Sequence, residues 1–511
     1  MRKKSDLEYL RLNKFQKMLY KLGYFFTSIP RYLLAFIKMI GTFFDKAFKK
    51  VVNEFKFIIT TFTHGSWKTK VSYGIMGFGN ISRGQVAKGL LFFLFEAIFV
   101  FYMIVSGGYW LGKIGTLGTD TMYQVYDPDL DTYKMVEGDD SFKILLYGLL
   151  TIVFIIALVI TWRMNIKQSA LCDEIERQGK KVKSNKDDLK SLLDDNFHKT
   201  LLSLPILGVI AFTIIPIIFM VLIAFTNFDA AHDGHSNLFS WVGLANFNEL
   251  FSFGTASGGN LSIAFGEILS WTLIWAILAT FTNYFLGMLV AIMINKKGIK
   301  LKKVWRTILV LTIAIPQFVS LLYVSKMFDV NGLVNGLLVN FGIIDSEHLI
   351  QFWKDPTLAR VMVVMINIWI GIPYLMLIAT GILMNIPQDL YESAKIDGAN
   401  VWQQYTRITL PYMLFVTGPY LLTSFIGNIN NFNVIFLLTG GGPTDPKLLT
   451  SGGSAGSTDL LITWLFNITT GATSNYKLAA VIAIMIFLVV AILSLIVYNI
   501  MPSNRNERDF S

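Results

Sequence analysis

The run Gly107-Gly-Tyr-Trp-Leu-Gly112-Lys113 is the first place where residue types and spacing point to chemistry. Glycines leading to a lysine approach a phosphate-binding loop, in which backbone amides cradle phosphates and a Ser or Thr after the lysine holds magnesium. Ile114 occupies that position and has no oxygen to offer. No strand pattern precedes the run, which falls at the end of an apolar stretch, so a nucleotide site is excluded here. No Asp-rich magnesium site or other hydrolytic constellation appears elsewhere. Cys172 is the single cysteine, which rules out an internal disulfide and a cysteine-based metal cluster. The chain is expected to have no catalytic residue, no metal site and no cofactor of its own.

What it offers instead is uncharged polarity inside apolar stretches. Asn428, Asn430, Asn431 and Asn433 crowd one run, Asn367 and Tyr374 lie two turns apart in another, and Gln317 follows Pro316 in a third. Polar groups at such depth are costly and face a cavity or another helix. Asn428 and Asn431 are three apart and are expected on one helical face, as are Asn367 and Tyr374. Amides, hydroxyls and aromatic rings without a formal charge suit a neutral polyhydroxylated solute, whereas an amino acid or a phosphate calls for a charged partner. For Asn430 and Asn433 the plainer reading has equal weight: amides that join helices by hydrogen bonds.

Membrane helices must position these residues. Hydrophobic residues make up 53% of the 511 and charged residues only 15%, against about 25% charged in soluble domains. Mean hydropathy is +0.53. A span needs about 20 mostly apolar residues. Eight are expected, near 87–108, 143–162, 201–226, 265–295, 304–327, 357–384, 412–438 and 476–501. Several contain proline, such as Pro205, Pro216, Pro316 and Pro373, which membrane helices tolerate when neighbours re-satisfy the freed backbone groups. With the N-terminus inside, the inner segments hold 35 Lys and Arg, while the outer loops hold only Lys113, Lys134, Lys354 and Lys447. That asymmetry predicts an all-α polytopic chain with both termini cytoplasmic. No cleavable signal is read at the basic N-terminus.

The segments between spans differ in character. Residues 1–85 carry 16 basic and 4 acidic residues, with Phe15, Met18, Leu19 and Leu22 at near-helical spacing. They read as amphipathic helices on an anionic membrane surface rather than as a nucleic-acid patch. Residues 86–199 hold the first two spans. The outer segment 110–142 has seven acidic residues against two lysines and reads as a solvated loop; 164–199 reads as a cytoplasmic helical connector. Residues 200–501 form the remaining membrane core, 502–511 a cytoplasmic tail, and the Gly/Ser/Thr-rich loop 439–459 is expected to be mobile.

Between the sixth and seventh spans runs Pro387-Gln-Asp-Leu-Tyr-Glu392-Ser-Ala394-Lys-Ile-Asp397-Gly398-Ala399, continuing to Arg407-Ile408-Thr-Leu410-Pro411. Pro387 suits a helix start, and Gly398 permits a sharp turn through positive φ. The segment therefore predicts a cytoplasmic helix-turn-helix between two membrane helices. Glu392-Ser-Ala-x-x-x-Gly398, then Ile408-x-Leu410-Pro411, resembles the coupling loop of ABC importer permeases, which docks into a groove on the ATPase subunit. The resemblance carries that role to Glu392, Ala394, Asp397, Gly398 and Ala399.

A closer resemblance covers about 200–501 and includes Phe225-Thr-Asn, Trp241-Val-Gly-Leu-Ala-Asn-Phe, Asp355-Pro-Thr-Leu-Ala-Arg360, Trp369-Ile-Gly-Ile-Pro-Tyr374, Asn428-Ile-Asn-Asn-Phe432, Gly440-Gly-Gly-Pro443 and Ala455-Gly-Ser-Thr-Asp-Leu-Leu461. These look like the larger membrane subunit of maltose/maltodextrin importers, in its Gram-positive form: the gap 227–264 is short and the extension 1–85 long. The resemblance implies the type I ABC importer permease fold in a bacterial cell membrane. It also implies a second homologous permease, two ATPase subunits that carry ATP and magnesium, and an extracellular lipoprotein that delivers the sugar. Carried over, sugar contacts fall on Gln317, Gly371, Tyr374, Ser424, Gly427, Asn428 and Asn431. Gly427 and Ile313 stand where the family has aromatic rings, which leaves room for a longer or branched glycan, such as a galacto-oligosaccharide or another plant glycan. An ion-coupled carrier would require intramembrane carboxylates, and Glu96 and Glu267 are read at or near span edges. A membrane glycosyltransferase would require a cytoplasmic acidic cluster, which the sequence lacks.

Overall fold

The structure, a computed structural model, describes residues 38, 41–42, 45–129, 131–182, 184–252, 259–296, 298–449, 454–471 and 474–500. The amphipathic helices expected around Phe15 to Leu22 and the tail 502–511 lie outside them. Among the described residues, seven helices are long and apolar enough to cross a membrane: Val86–Lys113, Ser141–Arg177, Phe197–Ile223, Leu261–Asn295, Pro356–Leu383, Val401–Thr439 and Tyr476–Ile496. The pair Lys302–Ala314 and Gln317–Met327 is bent by 90° at its break, the geometry of a broken span or of a re-entrant loop, and makes an eighth crossing if its halves form one span. The span expected as continuous over 304–327 is therefore interrupted. Ile315 precedes a proline, which disfavours helical backbone, and it is extended at φ −79° and ψ 126°. Other prolines are absorbed. Pro205 and Pro373 lie within helices, while Pro216 and Pro411 each follow a π-helical turn, Ile210–Ile214 and Tyr405–Thr409.

The chain divides into two compact units, residues 1–109 with 150–209, and 110–149 with 210–511. In the first, helix α1 (45–64) leads to the short helices α2 (Trp67–Val71) and α3 (Phe78–Ile81). Next comes α4 (Val86–Tyr102), which a π-helical turn, Met103–Gly107, joins to α5 (Gly108–Lys113). A buried ionic knot fastens the 65–85 segment to the second long helix. Arg83 donates to Asp173 at 2.5 Å and to Glu176 at 2.9 Å, and Asp173 also accepts the Ser66 amide. Asn165 accepts the Gly77 amide at 2.8 Å. Glu96 is not at a span edge: it lies ten residues into α4, and its carboxylate takes the Met76 amide at 2.7 Å.

In the second unit, strands β1 (Tyr123–Asp127) and β2 (Thr132–Val136) pair antiparallel within the acidic segment expected to be a solvated loop. They precede α6 (Ser141–Arg177), the start of which belongs to this unit. The main packing seam lies between helices α7 (Gly259–Asn295) and α8 (Pro356–Leu383). Glycines make the close approach possible. A side chain at Gly371 would come within 2.2 Å of the Asn283 amide, and one at Gly287 within 2.6 Å of Leu375. Small residues of this kind let membrane helices pack at close range.

The loop after Thr439 corrects a second expectation. Its described residues are tied down rather than mobile. Thr458 donates to the Gly442 carbonyl at 2.6 Å, the Ser457 amide to Pro443, and the Thr458 amide to Gly441. Trp271 and Arg360 donate to the Thr458 and Ser457 carbonyls from α7 and α8. Glycine and threonine serve here as hydrogen-bonding backbone rather than as a linker. The loop encloses Asp459, which accepts the Gly456 amide at 2.8 Å. Burial pushes its carboxyl up to about 6. The folded state thus holds this proton more tightly than the unfolded chain, and stability falls as pH rises from 3.8 to about 6 and is level above. At about 1.4 kcal/mol per pH unit, ionisation costs the fold about 3 kcal/mol at neutral pH. Asp459→Asn is expected to raise the thermal midpoint in detergent at pH 7.5, with the gain vanishing near pH 4. A gain that does not depend on pH would count against this assignment.

Candidate functional site

The run with four asparagines is not one helix. Helix α11 (Leu410–Ile429) ends before Asn430, and Asn431 caps a new helix, α12 (Phe432–Thr439), by accepting the Val434 amide at 3.4 Å. Asparagine competes for backbone groups and favours caps over helix interiors. Asn428 and Asn431 therefore meet across a break rather than along a continuous face. They are nonetheless paired: Asn431 Nδ2 donates to Asn428 Oδ1 at 3.2 Å. Asn428 Nδ2 donates in turn to Thr280 Oγ1 at 3.0 Å. Trp275 Nε1 donates to the Asn428 carbonyl at 3.1 Å. Val434 N–H, Asn431, Asn428 and Thr280 thus form a directed chain with each amide orientation fixed. Each asparagine keeps one further N–H.

Helix α11 carries this polarity along one stripe. Tyr420, Ser424 and Asn428 follow at four-residue intervals, which places them on one face. The Tyr374 ring lies 6.5 Å from the Tyr420 ring. Tyr374 is 52% exposed. Ser424, Asn428 and Asn431 are half-buried, Gly427 is exposed, and a side chain at Gly427 would meet open space. The structure thus brings Tyr374, Ser424, Gly427, Asn428 and Asn431 onto one open polar surface.

Three expected residues stand apart from it. Gln317 is exposed at the start of the helix beyond the 90° bend. Gly371 serves the packing seam, its missing side chain replaced by Asn283. Asn367 does not share an environment with Tyr374: it is 6% exposed, buried on α8 one turn before Gly371. Its Nδ2 and the Asn283 Oδ1 are buried with no partner in the structure. Thr280, Asn283, Trp275 and Tyr420 were not singled out from sequence. The signal for the first two was the polar cluster Thr280, Thr282 and Asn283 in the middle of a largely apolar span.

The 387–411 segment folds as an exposed helix-turn-helix. Helix α9 (Gln388–Ile396) ends at Gly398, where φ is +75° and no atom would meet a side chain. The chain turns, Asn400 caps α10 (Val401–Gln404) with Gln403 in a reciprocal box, and Tyr391 braces the two arms by a 2.9 Å bond to Thr409. The second arm does not stop at Pro411: through the π turn it continues into α11 as part of the same span. Glu392, Asp397 and Gly398 are exposed, Ala394 and Ala399 half-buried. Ile396, Val401 and Trp402 are 86%, 83% and 70% exposed.

Residues 283–505 match the family described as the binding-protein-dependent transport system inner membrane component. The chain is similar to the maltodextrin transport system permease protein MalC of Streptococcus pneumoniae, 35% identical over 83% of this chain and 93% of the relative. The maltodextrin permease MdxF of Bacillus subtilis is 33% identical over 85% of this chain and 95% of its own. The galactooligosaccharides permease GanP of the same species is 32% identical over 81% and 92%.

Thr280→Val removes the acceptor that orients Asn428 while keeping the side-chain volume. Taking the Thr280 acceptor from that half-buried amide is expected to cost about 1 kcal/mol. The thermal midpoint should fall, and Thr280→Ser, which keeps the hydroxyl, should restore most of it. Equal midpoints for Val and Ser would show that the hydroxyl does not hold the chain of amides.

Proposed function

This chain belongs to the binding-protein-dependent transport permeases, the inner membrane components of ABC importers, and from that premise we propose that it lines the translocation path for an oligosaccharide, maltodextrin first. The observation that carries the proposal is the surface formed by Tyr374, Ser424, Asn428 and Asn431. It joins aromatic rings, a hydroxyl and oriented amide N–H groups, and among its described members none is charged. Such groups match sugar hydroxyls and ring faces. The surface is open on one side, and a second, homologous permease subunit would close it. The open space at Gly427 favours one further reading within the class, a longer or branched glycan such as a galacto-oligosaccharide.

ATP and magnesium would be handled by two separate ATPase subunits. The exposed arm presents apolar Ile396, Val401 and Trp402 beside Glu392 and Asp397, a helix face suited to a groove. ATP-driven closure of the ATPase dimer would move this arm, and with it α11.

In proteoliposomes holding the full complex, uptake of maltodextrin is expected to depend on ATP and on a solute-binding protein. Gly398→Val forces a β-branched residue into positive φ. The variant should hydrolyse ATP yet lose most uptake. Preference for galacto-oligosaccharide would replace the first sugar by the second; unimpaired uptake by Gly398→Val would remove the coupling role.

The excess of basic residues in alternate segments supports cytoplasmic termini and an outward 110–142 segment. A cysteine in place of Val125 is therefore expected to react with a membrane-impermeant maleimide in intact cells. Reaction only after lysis would invert the topology.

A further inference from the structure

The β1–β2 hairpin is not used by the translocation path, and its setting is unusual. Its base is rigid. Buried Asp139 accepts the Thr119 amide at 2.8 Å, the Asp120 amide at 3.1 Å and the Lys113 ammonium at 2.5 Å, and its own amide bonds to Asp120. The Ser141 amide then ties the returning strand to Gly234. Beyond this clamp the ribbon is open on both faces. Tyr126 pairs with Tyr133 across the strands, their rings 5.5 Å apart, and Gln124 with Met135 on the same face. Tyr133 is 67% exposed, Met135 55% and, on the opposite face, Tyr123 55%. An isolated two-stranded ribbon is at best marginally stable in water, and this one covers little of its own apolar surface. A fixed base that presents exposed tyrosine and methionine has the composition of a protein interface.

Charge selects the occupant. The segment 110–142 has seven acidic residues and two lysines; at the turn Lys134 pairs with Asp127, which leaves Asp129 and Asp131, the latter accepting the Tyr126 hydroxyl, as the excess negative charge. An anionic lipid surface would repel such a tip; a basic protein surface would be attracted to it. We infer that the 123–136 hairpin is a docking element for the extracellular solute-binding protein and engages a basic patch beside the sugar cleft of that partner. The inference rests on the importer reading and the outward orientation proposed above.

The test uses the full complex in nanodiscs. The probe is the solute-binding protein that stimulates ATP hydrolysis by the wild-type complex, added in soluble form without its lipid anchor. Tyr126→Ser combined with Tyr133→Ser is expected to raise its half-saturating concentration about tenfold, with the basal and saturated rates unchanged. Asp129→Lys, at an exposed turn position, should also raise it and flatten its dependence on salt. A photoactivatable phenylalanine analogue at position 133 should crosslink to the binding protein. Unchanged half-saturation in both variants overturns the inference, as does a crosslink that reaches only the second permease, the sugar or lipid. Should no binding protein stimulate the wild-type complex, the importer reading itself falls, and this inference with it.

Discussion

A helix that ends inside an apolar span leaves backbone groups where water cannot reach them, and each must find a partner within the protein. The break between Ile429 and Phe432 meets this constraint with backbone turns, in which the Asn430, Asn431 and Phe432 amides donate to the Ile426, Asn428 and Asn430 carbonyls, and with side chains. Trp275 covers the Asn428 carbonyl, Asn431 covers the Val434 amide, and Thr280 covers the amide of Asn428. Trp275 and Thr280 both belong to α7, so that helix must run past the break. The same helix carries Asn283 and Gly287, which meet Gly371 and Leu375 of α8. The relative placement of α7, α8 and α11 thus follows from a single interrupted span. The polar surface of Tyr374, Ser424, Asn428 and Asn431 is a consequence of that placement: amides recruited to repair a break keep spare N–H groups.

The spans themselves were legible because hydropathy depends on local composition alone. The breaks were legible only where a residue forbids helix outright. Pro316 stood in plain view, yet its effect depended on Ile315 becoming extended, whereas Pro205 and Pro373 are carried within helices. The Asn428–Asn431 pair was read by helical period when the cap preference of Asn431 was the stronger signal. Asn367 and Tyr374 are close in angle on α8, but α8 is buried at the first and exposed at the second. The 439–459 loop was misread because the bonds that fix it join its two ends, Gly441–Pro443 to Ser457 and Thr458, and come also from Trp271 and Arg360, distant in sequence. Gly398 was read correctly for a simple reason: its positive φ is set by its own backbone and needs no distant partner.

Continuity between the exposed arm and the polar surface constrains any account of coupling. From Val401 the second arm, the π turn and α11 form one uninterrupted helical path that ends at Ile429, immediately beside the Asn428–Asn431 pair. Tyr391 ties the first arm to this path through Thr409. On the proposed reading, displacement of the arm by an ATPase subunit need not pass through a loop before it reaches the substrate. It would arrive where the helix already ends and where turn and side-chain hydrogen bonds, rather than a continuous helical ladder, hold the next segment. Side-chain bonds each contribute only about 1 kcal/mol net, so the Asn431–Asn428–Thr280 chain is where this path yields at least cost. A push from the cytoplasmic side would then change amide orientation in the polar surface before it deforms any helix, which ties the energy-receiving arm to the groups that would hold the sugar.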